Sequence, residues 1–176
     1  MRQLTVLKPL WCNEVAMNKG TELLELLKLT GKTLSTAESC TGGMIGAYLT
    51  DIAGISDYYG YGVVTYSNEA KQKLIGVNSD NLKNHGAVSR EVALDMSKGI
   101  MNVSGANIGV SSTGIAGPGG GTAEKPVGLV YISLCTDDGY HIYKQLNLKG
   151  DRLSVRQQTV EQVTDMIIDY LKKEIS

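Results

Sequence analysis

Apolar residues recur at helical spacing in five stretches of the chain, and apolar or β-branched runs lie between them. The helical pattern covers residues 14–29, 44–53, 67–76, 89–102 and 151–174. The strand-like runs cover residues 32–39, 58–66, 107–112, 127–136 and 140–148. Asp137-Asp138-Gly139 joins the last two runs and predicts a tight hairpin turn. Alternating helices and strands with a late antiparallel hairpin predict an α/β fold, a three-layer α/β/α sandwich around a mixed sheet.

The length of the chain fits one such domain. The sequence has 176 residues, and domains commonly contain about 150 residues. Residues 1–13 hold the only Trp and show no clear period, so we interpret them as an extra N-terminal segment. Residues 14–176 then form a single domain.

Charge and composition exclude several classes of function. Seventeen basic and eighteen acidic residues give a net charge of −1, which does not favour a nucleic acid as partner. No apolar run approaches the roughly 18 residues that span a bilayer, and no signal peptide is apparent, so we expect a cytoplasmic protein with no membrane contact. The three cysteines are isolated and only two histidines are present, so we expect no metal and no cofactor.

The segment AESCTGG, residues 37–43, places hydroxyl and thiol groups at the end of a predicted strand, directly before a helix. Open α/β sheets bind ligands at this edge, and free N–H groups at a helix start can hold an oxyanion. Ser39 is the candidate nucleophile; Cys40 is a rival, or simply a small residue packed at the turn. Alternatively, Ser39 or Thr41 only caps the helix. The candidate substrate-binding residues here are Cys40, Thr41, Gly42 and Gly43.

A serine nucleophile needs a base, and Lys71 is the better candidate because histidine is scarce. It falls in the first turn of a predicted helix, where the helix dipole lowers the pKa of an amine. Tyr66 closes the preceding strand, so its hydroxyl could bridge Lys71 and Ser39. The alternative for Lys71 is an ordinary solvated lysine.

The glycine-rich segment 114–121, followed by Lys125-Pro126-Val127-Gly128, fits neither a Walker A loop nor a dinucleotide-binding fingerprint. Its N–H groups could still form an anion nest, although a long surface turn is the alternative. On the last helix, two arginines one turn apart could clamp a phosphate, or each could be a surface residue. The binding candidates from these two segments are Thr113, Gly114, Gly117, Gly119, Gly120, Arg152 and Arg156.

Five blocks in this order, AESCTGG, VTYSNEAK, HGAVS, TGIAGPGGG with KPVG, and GDR-x-x-VR, resemble the CinA C-terminal domain family of nicotinamide-nucleotide amidohydrolases. The match covers about residues 14–174. The resemblance implies metal-independent hydrolysis of nicotinamide mononucleotide to nicotinic acid mononucleotide and ammonia, in pyridine-nucleotide salvage and NAD metabolism. It places the nucleophile on Ser39, with Tyr66 and Lys71 as assisting groups.

The chain departs from the family pattern in two places. Many members carry a larger N-terminal domain, which 13 residues cannot supply, so we expect the stand-alone form. Residues 59–62, YGYG, replace a Phe followed by a Gly-Gly pair, and we expect them to border the site. We also expect a small-molecule nucleotide as substrate and a homo-oligomer, a dimer or higher. Two alternatives remain: a non-catalytic nucleotide- or phosphate-binding regulatory module, and a Ser-Lys amidase acting on another carboxamide.

Overall fold

The computed structural model describes residues 14–175, so the predicted N-terminal segment 1–13 lies outside the described residues. The helices are α1 (Glu14–Thr30), α2 (Met44–Thr50), α3 (Asn68–Ile75), α4 (Ser79–His85), α5 (Arg90–Ser104) and α6 (Arg152–Glu174). The strands are β1 (Leu34–Glu38), β2 (Tyr59–Val64), β3 (Ile108–Gly114), β4 (Leu129–Thr136) and β5 (His141–Asn147). A short 3-10 helix spans Ile55–Asp57.

The five strands form one mixed sheet in the order β2-β1-β3-β4-β5. β1 pairs in parallel with both β2 and β3, whereas β4 runs antiparallel to β3 and to β5. The carboxyl ends of β1, β2 and β3 therefore meet at one edge of the sheet. The mixed sheet and its late hairpin confirm the predicted fold class.

Helices cover both faces of the sheet, because each face carries apolar side chains that must be buried. On one face, α1, α2 and α6 pack over Ile108, Val110 and Ile132 in the larger apolar core. On the other face, α3, α4 and α5 form a smaller core with Ala37. Gly109 lets α5 approach β3 closely, since a Cβ atom there would overlap the backbone oxygen of Ser97.

One helix is missing from the sequence prediction. The segment SDNLKNH forms α4, which ends at His85. Leu82 is the buried residue of this helix, and a single apolar position carries no period to detect. The Asn78 side chain accepts from Asp80 N and caps the start of α4.

Within residues 14–175, no helix combines the length and the apolar character that a membrane span requires.

Candidate active site

A cavity of about 200 Å³ opens where the carboxyl ends of β1, β2 and β3 meet. Its walls come from these strand ends, the loops beside them and the helices α3 and α6: Ser39, Cys40, Tyr66, Lys71, Ala87, Val88, Thr113, Gly114, Ala116 and Arg152. The edge that the sequence pattern indicated for a ligand site thus holds the cavity.

Ser39 and Lys71 are in direct contact in this cavity. Lys71 Nζ lies 3.0 Å from Ser39 Oγ and donates a second hydrogen bond to Thr65 O at 2.7 Å. Two residues that are 32 positions apart in sequence therefore form a hydroxyl–amine pair.

The lysine owes its position to the short helix α3. Ser67 caps this helix by accepting from Ala70 N, and Lys71 follows in the next position. Only 1% of Lys71 is exposed, so it is not a solvated helix lysine. Burial lowers the pKa of Lys71 from its ordinary value. The same burial places its amine against the serine rather than in water.

Ser39 sits at a sharp turn between β1 and α2. Ser39 N donates to Ser112 O on the neighbouring strand, and Gly42 N donates back to Ser39 O. Gly42 and Gly43 have φ angles of +58° and +96°, which glycine adopts without strain. The glycine pair therefore shapes the turn, and neither residue lines the cavity.

Glu38 is the residue of this turn to which the sequence pattern assigned no role. Its carboxylate is 2% exposed and accepts from the N–H groups of Gly43, Ile45 and Gly46 at 2.9, 3.1 and 2.8 Å. These groups begin α2, whose cap residue, Gly43, provides no side-chain hydrogen bond. The expectation that Ser39 or Thr41 caps this helix is wrong, because Glu38 satisfies its start.

Glu38 also changes where an oxyanion could bind. The three N–H groups at the start of α2 are already bonded to its carboxylate, so they are not free for a substrate. In the described part of the chain, the N–H groups of Cys40 and Thr41 donate to no backbone carbonyl. Both belong to the turn that carries Ser39.

The side chains of Cys40 and Thr41 are buried. Burial raises the pKa of the Cys40 thiol to about 11, so it stays protonated near neutral pH. Thr41 Oγ1 bonds to Ser112 Oγ at 2.7 Å and lies outside the cavity walls. The thiol borders the cavity as a neutral packed group, while Thr41 ties the turn to β3.

The two arginines of α6 have different partners. Arg152 lines the cavity and donates to Gly117 O at 2.8 Å and to Tyr66 Oη at 3.1 Å. Arg156 donates to Thr41 O from Nε at 3.2 Å and from Nη2 at 2.6 Å. Arg152 therefore faces the cavity, whereas Arg156 holds the serine turn against α6.

Tyr66 lies at the rim of the cavity with 64% of its surface exposed. Its hydroxyl accepts from Arg152 and does not bridge Lys71 and Ser39, which contact each other directly. The structure thus brings Tyr66 to the site, but in contact with the arginine.

The end of β3 and the start of the glycine-rich segment contribute to the cavity. Thr113 and Gly114 line it, and the Thr113 hydroxyl donates to Ala87 O at 2.7 Å. Gly117 reaches the site through its bond to Arg152, whereas Gly119 and Gly120 are exposed and lie outside the cavity walls. Loop and cavity therefore overlap in part.

The YGYG segment borders a different groove. Tyr59 and Gly62 line this second groove together with Glu38, and neither lines the Ser39 cavity. The expected contact between this segment and the site is therefore wrong.

A buried amine contacts the hydroxyl of a serine whose turn, within the described residues, holds two main-chain N–H groups that donate to no backbone carbonyl. This arrangement can support nucleophilic acyl transfer. Across the described residues, no three His, Cys, Asp or Glu side chains are placed to hold a metal ion.

Comparison with known proteins places this site in a family. A protein of Clostridium acetobutylicum named competence-damage inducible protein is 52% identical over 143 residues, which are 81% of this chain and 34% of the relative. One of the same name from Clostridium perfringens is 53% identical over the same length. The chain thus spans about a third of the curated relatives that it matches.

Solved structures resemble the whole described fold. The crystal structure of competence/damage inducible protein CihA from Agrobacterium tumefaciens has a TM-score of 0.87 at 40% identity and covers 91% of this chain and 97% of its own. A CinA superfamily protein from Klebsiella pneumoniae has a TM-score of 0.86 at 34% identity, covering 90% and 98%. The model of the CinA C-terminal domain matches residues 17–171. This chain therefore belongs to the CinA C-terminal domain family.

Proposed function

We propose that this protein is a metal-independent serine amidohydrolase that converts nicotinamide mononucleotide to nicotinic acid mononucleotide and ammonia. The observation that carries the proposal is the contact between Lys71 Nζ and Ser39 Oγ, inside a cavity at the ligand-binding edge of the sheet. The resemblance of the five sequence blocks to nicotinamide-nucleotide amidohydrolases supplies the substrate.

In the proposed reaction, Ser39 Oγ attacks the carboxamide carbon while its proton passes to a neutral Lys71. One N–H of the amine stays bonded to Thr65 O, and the lone pair of the neutral amine is then available to the serine proton. The tetrahedral intermediate then breaks its C–N bond, and the proton on Lys71 moves to the departing nitrogen to give ammonia. Water attacks the resulting ester while its proton passes to Lys71. The second tetrahedral intermediate then breaks its bond to Ser39 Oγ, the proton on Lys71 returns to the serine oxygen, and the acid leaves.

The negative oxygen of the tetrahedral intermediate needs donors. We assign this role to the main-chain N–H groups of Cys40 and Thr41, because Glu38 already occupies those at the start of α2. The turn that presents Ser39 would then also stabilise the charge that develops when Ser39 attacks.

The rest of the substrate would extend outward from the cavity. At about 200 Å³, the cavity is smaller than the roughly 300 Å³ at which typical ligand pockets begin. It suits the pyridine carboxamide, and the ribose phosphate would pass Tyr66 and Arg152 at the rim. Arg152 has further N–H donors beyond the two that bind Gly117 O and Tyr66 Oη.

Ammonia release from nicotinamide mononucleotide, measured in the presence of a chelator, tests the proposal. We expect Ser39→Ala to fold and to lose about a thousandfold or more in kcat. Cys40→Ala is the matched control on the adjacent residue, and it should remain active. An inactive Cys40→Ala beside an active Ser39→Ala would assign the nucleophile to the thiol.

The small cavity also favours a second candidate, a Ser-Lys amidase that acts on another carboxamide. A screen of pyridine nucleotides and small amides separates the two, because this enzyme would release ammonia only from other amides. Binding of the mononucleotide without ammonia release from any amide would instead indicate a regulatory nucleotide-binding module.

A further inference from the structure

Two sequence blocks that the Ser39 chemistry leaves without a role, HGAVS and KPVG, meet in the structure. Lys125 Nζ donates to His85 O at 2.6 Å and to Val88 O at 2.8 Å, across 40 and 37 residues. Lys125 is half-buried in the loop between β3 and β4. Its two acceptors are the last residue of α4 and a residue of the loop between α4 and α5. One ammonium thus joins two loops at the cavity.

The other two carbonyls of the segment 85–88 also accept hydrogen bonds from side chains. Gly86 O accepts from Ser89 Oγ at 2.9 Å, and Ala87 O accepts from Thr113 Oγ1 at 2.7 Å. All four consecutive carbonyls therefore bond to side chains, and Lys125 supplies two of the four bonds. Gly86 has a φ of +74°, and a Cβ atom there would lie 3.3 Å from Lys125 Nζ.

This segment forms one wall of the cavity. Ala87 and Val88 border the space that contains Ser39 and Lys71, while Lys125 stays outside the lining. Ala87 and Val88 lie in an irregular segment whose carbonyls are held by the side chains of Thr113 and Lys125, so this wall loses its fixed position when a donor is removed. Binding to a preformed wall avoids the cost of ordering that wall during each binding event.

We propose that Lys125 is a positioning residue, whose ammonium holds the Ala87–Val88 wall in the shape that receives the substrate. The catalytic part of this inference rests on the proposed amidohydrolase function. Lys125 acts through the wall, so its loss should weaken substrate binding more than it slows the chemical step at Ser39.

The test compares Lys125→Met, which keeps the length and loses the donors, with Lys125→Arg, which keeps N–H donors. For ammonia release from nicotinamide mononucleotide, we expect Lys125→Met to raise KM about tenfold, equivalent to 1.4 kcal/mol, with kcat changed less than about twofold. The KM of Lys125→Arg should lie closer to that of the wild type. Amide exchange in peptides spanning residues 82–92 should be faster in Lys125→Met.

Lys144→Met is the matched control, since Lys144 is a half-buried lysine on β5 that does not line the cavity. It should change neither KM nor exchange in residues 82–92. An unchanged KM in Lys125→Met would overturn the proposal, as would faster exchange that spreads equally through β4 and β5. If the wild type releases no ammonia, the proposed function fails separately, and the exchange result alone decides the role of Lys125.

Discussion

A lysine in the fourth position of a short helix is ordinarily solvated, yet Lys71 is 1% exposed and contacts a serine hydroxyl. Burial disfavours its charged form, which lowers the pKa of the amine. A neutral amine can accept a proton, whereas an ammonium cannot. Burial is therefore the physical property that would turn this lysine into a base.

The first prediction concerns Lys71→Arg. Arginine keeps the positive charge but does not release its proton at accessible pH, so kcat should fall about 10²–10⁴-fold. In the wild type, kcat/KM should rise with pH through the lowered pKa of Lys71, because the deprotonated amine is the active form. The measurement is ammonia release at low substrate concentration across a pH series.

Lys73→Arg is the matched control, because Lys73 lies on the same helix in an exposed pair with Glu69. It should leave the rate unchanged. An active Lys71→Arg with the same pH profile as the wild type would show that only a positive charge is needed beside Ser39.

At the residue scale, sequence reasoning paired Lys71 with Ser39 as base and nucleophile, but it placed the Tyr66 hydroxyl between them instead of a direct contact. A serine before a glycine pair and a lysine early in a helix are local features of the chain. Their 3.0 Å contact depends on β1 and β2 being parallel neighbours, which local spacing does not determine. Arg156 was one of two candidate phosphate ligands, because its sequence position cannot show that its donors are bonded to Thr41 O.

The start of helix α2 is bonded to Glu38, and this contact helps to position the nucleophile Ser39. The Glu38 carboxylate bonds three N–H groups at the start of the helix, and the serine turn lies between Glu38 and that start. A carboxylate is the suitable group here, since it only accepts hydrogen bonds and carries negative charge at the positive end of the helix dipole. The helix and the turn are thereby fixed to β1.

The second prediction is that Glu38→Gln lowers both stability and kcat. The amide presents N–H donors toward main-chain N–H groups, so at least one charge-assisted bond is lost, at about 1.5–3 kcal/mol of unfolding free energy. Without this bond, the turn that carries Ser39 should shift from its position. We expect kcat to fall about tenfold per folded molecule, which corresponds to about 1.4 kcal/mol, with KM nearly unchanged. Denaturant unfolding and ammonia-release kinetics measure the two effects.

Ser97→Ala provides the comparison for a purely structural loss. Ser97 Oγ bonds to Ser133 Oγ at 2.7 Å in a buried cluster outside the cavity lining. This variant should lose stability and keep the wild-type kcat. If Glu38→Gln behaves in the same way, Glu38 stabilises the fold without positioning the turn.

At the element scale, the sequence predicted those helices and strands that have a clear hydrophobic period. Of the elements within residues 14–175, five of the six α-helices and all five strands lie where the pattern indicated. α4 was missed because Leu82 is its buried residue and the rest of the segment is polar. The capping role of Glu38 was missed because a glutamate at a strand end has no local pattern that marks it as a helix cap.

At the scale of the whole molecule, residues that are distant in sequence meet at the rim of the cavity. Arg152 on α6 contacts Tyr66, 86 residues earlier, and Gly117, 35 residues earlier. Arg156, one turn further, bonds instead to the serine turn at Thr41. One helix therefore supports both the rim of the cavity and its nucleophile.

The last prediction separates these two roles by substrate. We expect nicotinamide riboside to be a poor substrate, because losing two or three charge-assisted bonds to phosphate, at about 1.5–3 kcal/mol each, reduces kcat/KM at least about a hundredfold. Arg152→Ala should lower kcat/KM strongly for the mononucleotide and only slightly for the riboside. Arg156→Ala should lower kcat/KM for both compounds by the same factor, since it releases the Thr41 turn that both substrates use. The measurement is kcat/KM for ammonia release from each compound with each variant. If Arg152→Ala lowers kcat/KM equally for the mononucleotide and the riboside, Arg152 shapes the rim through Tyr66 and Gly117 and does not bind phosphate.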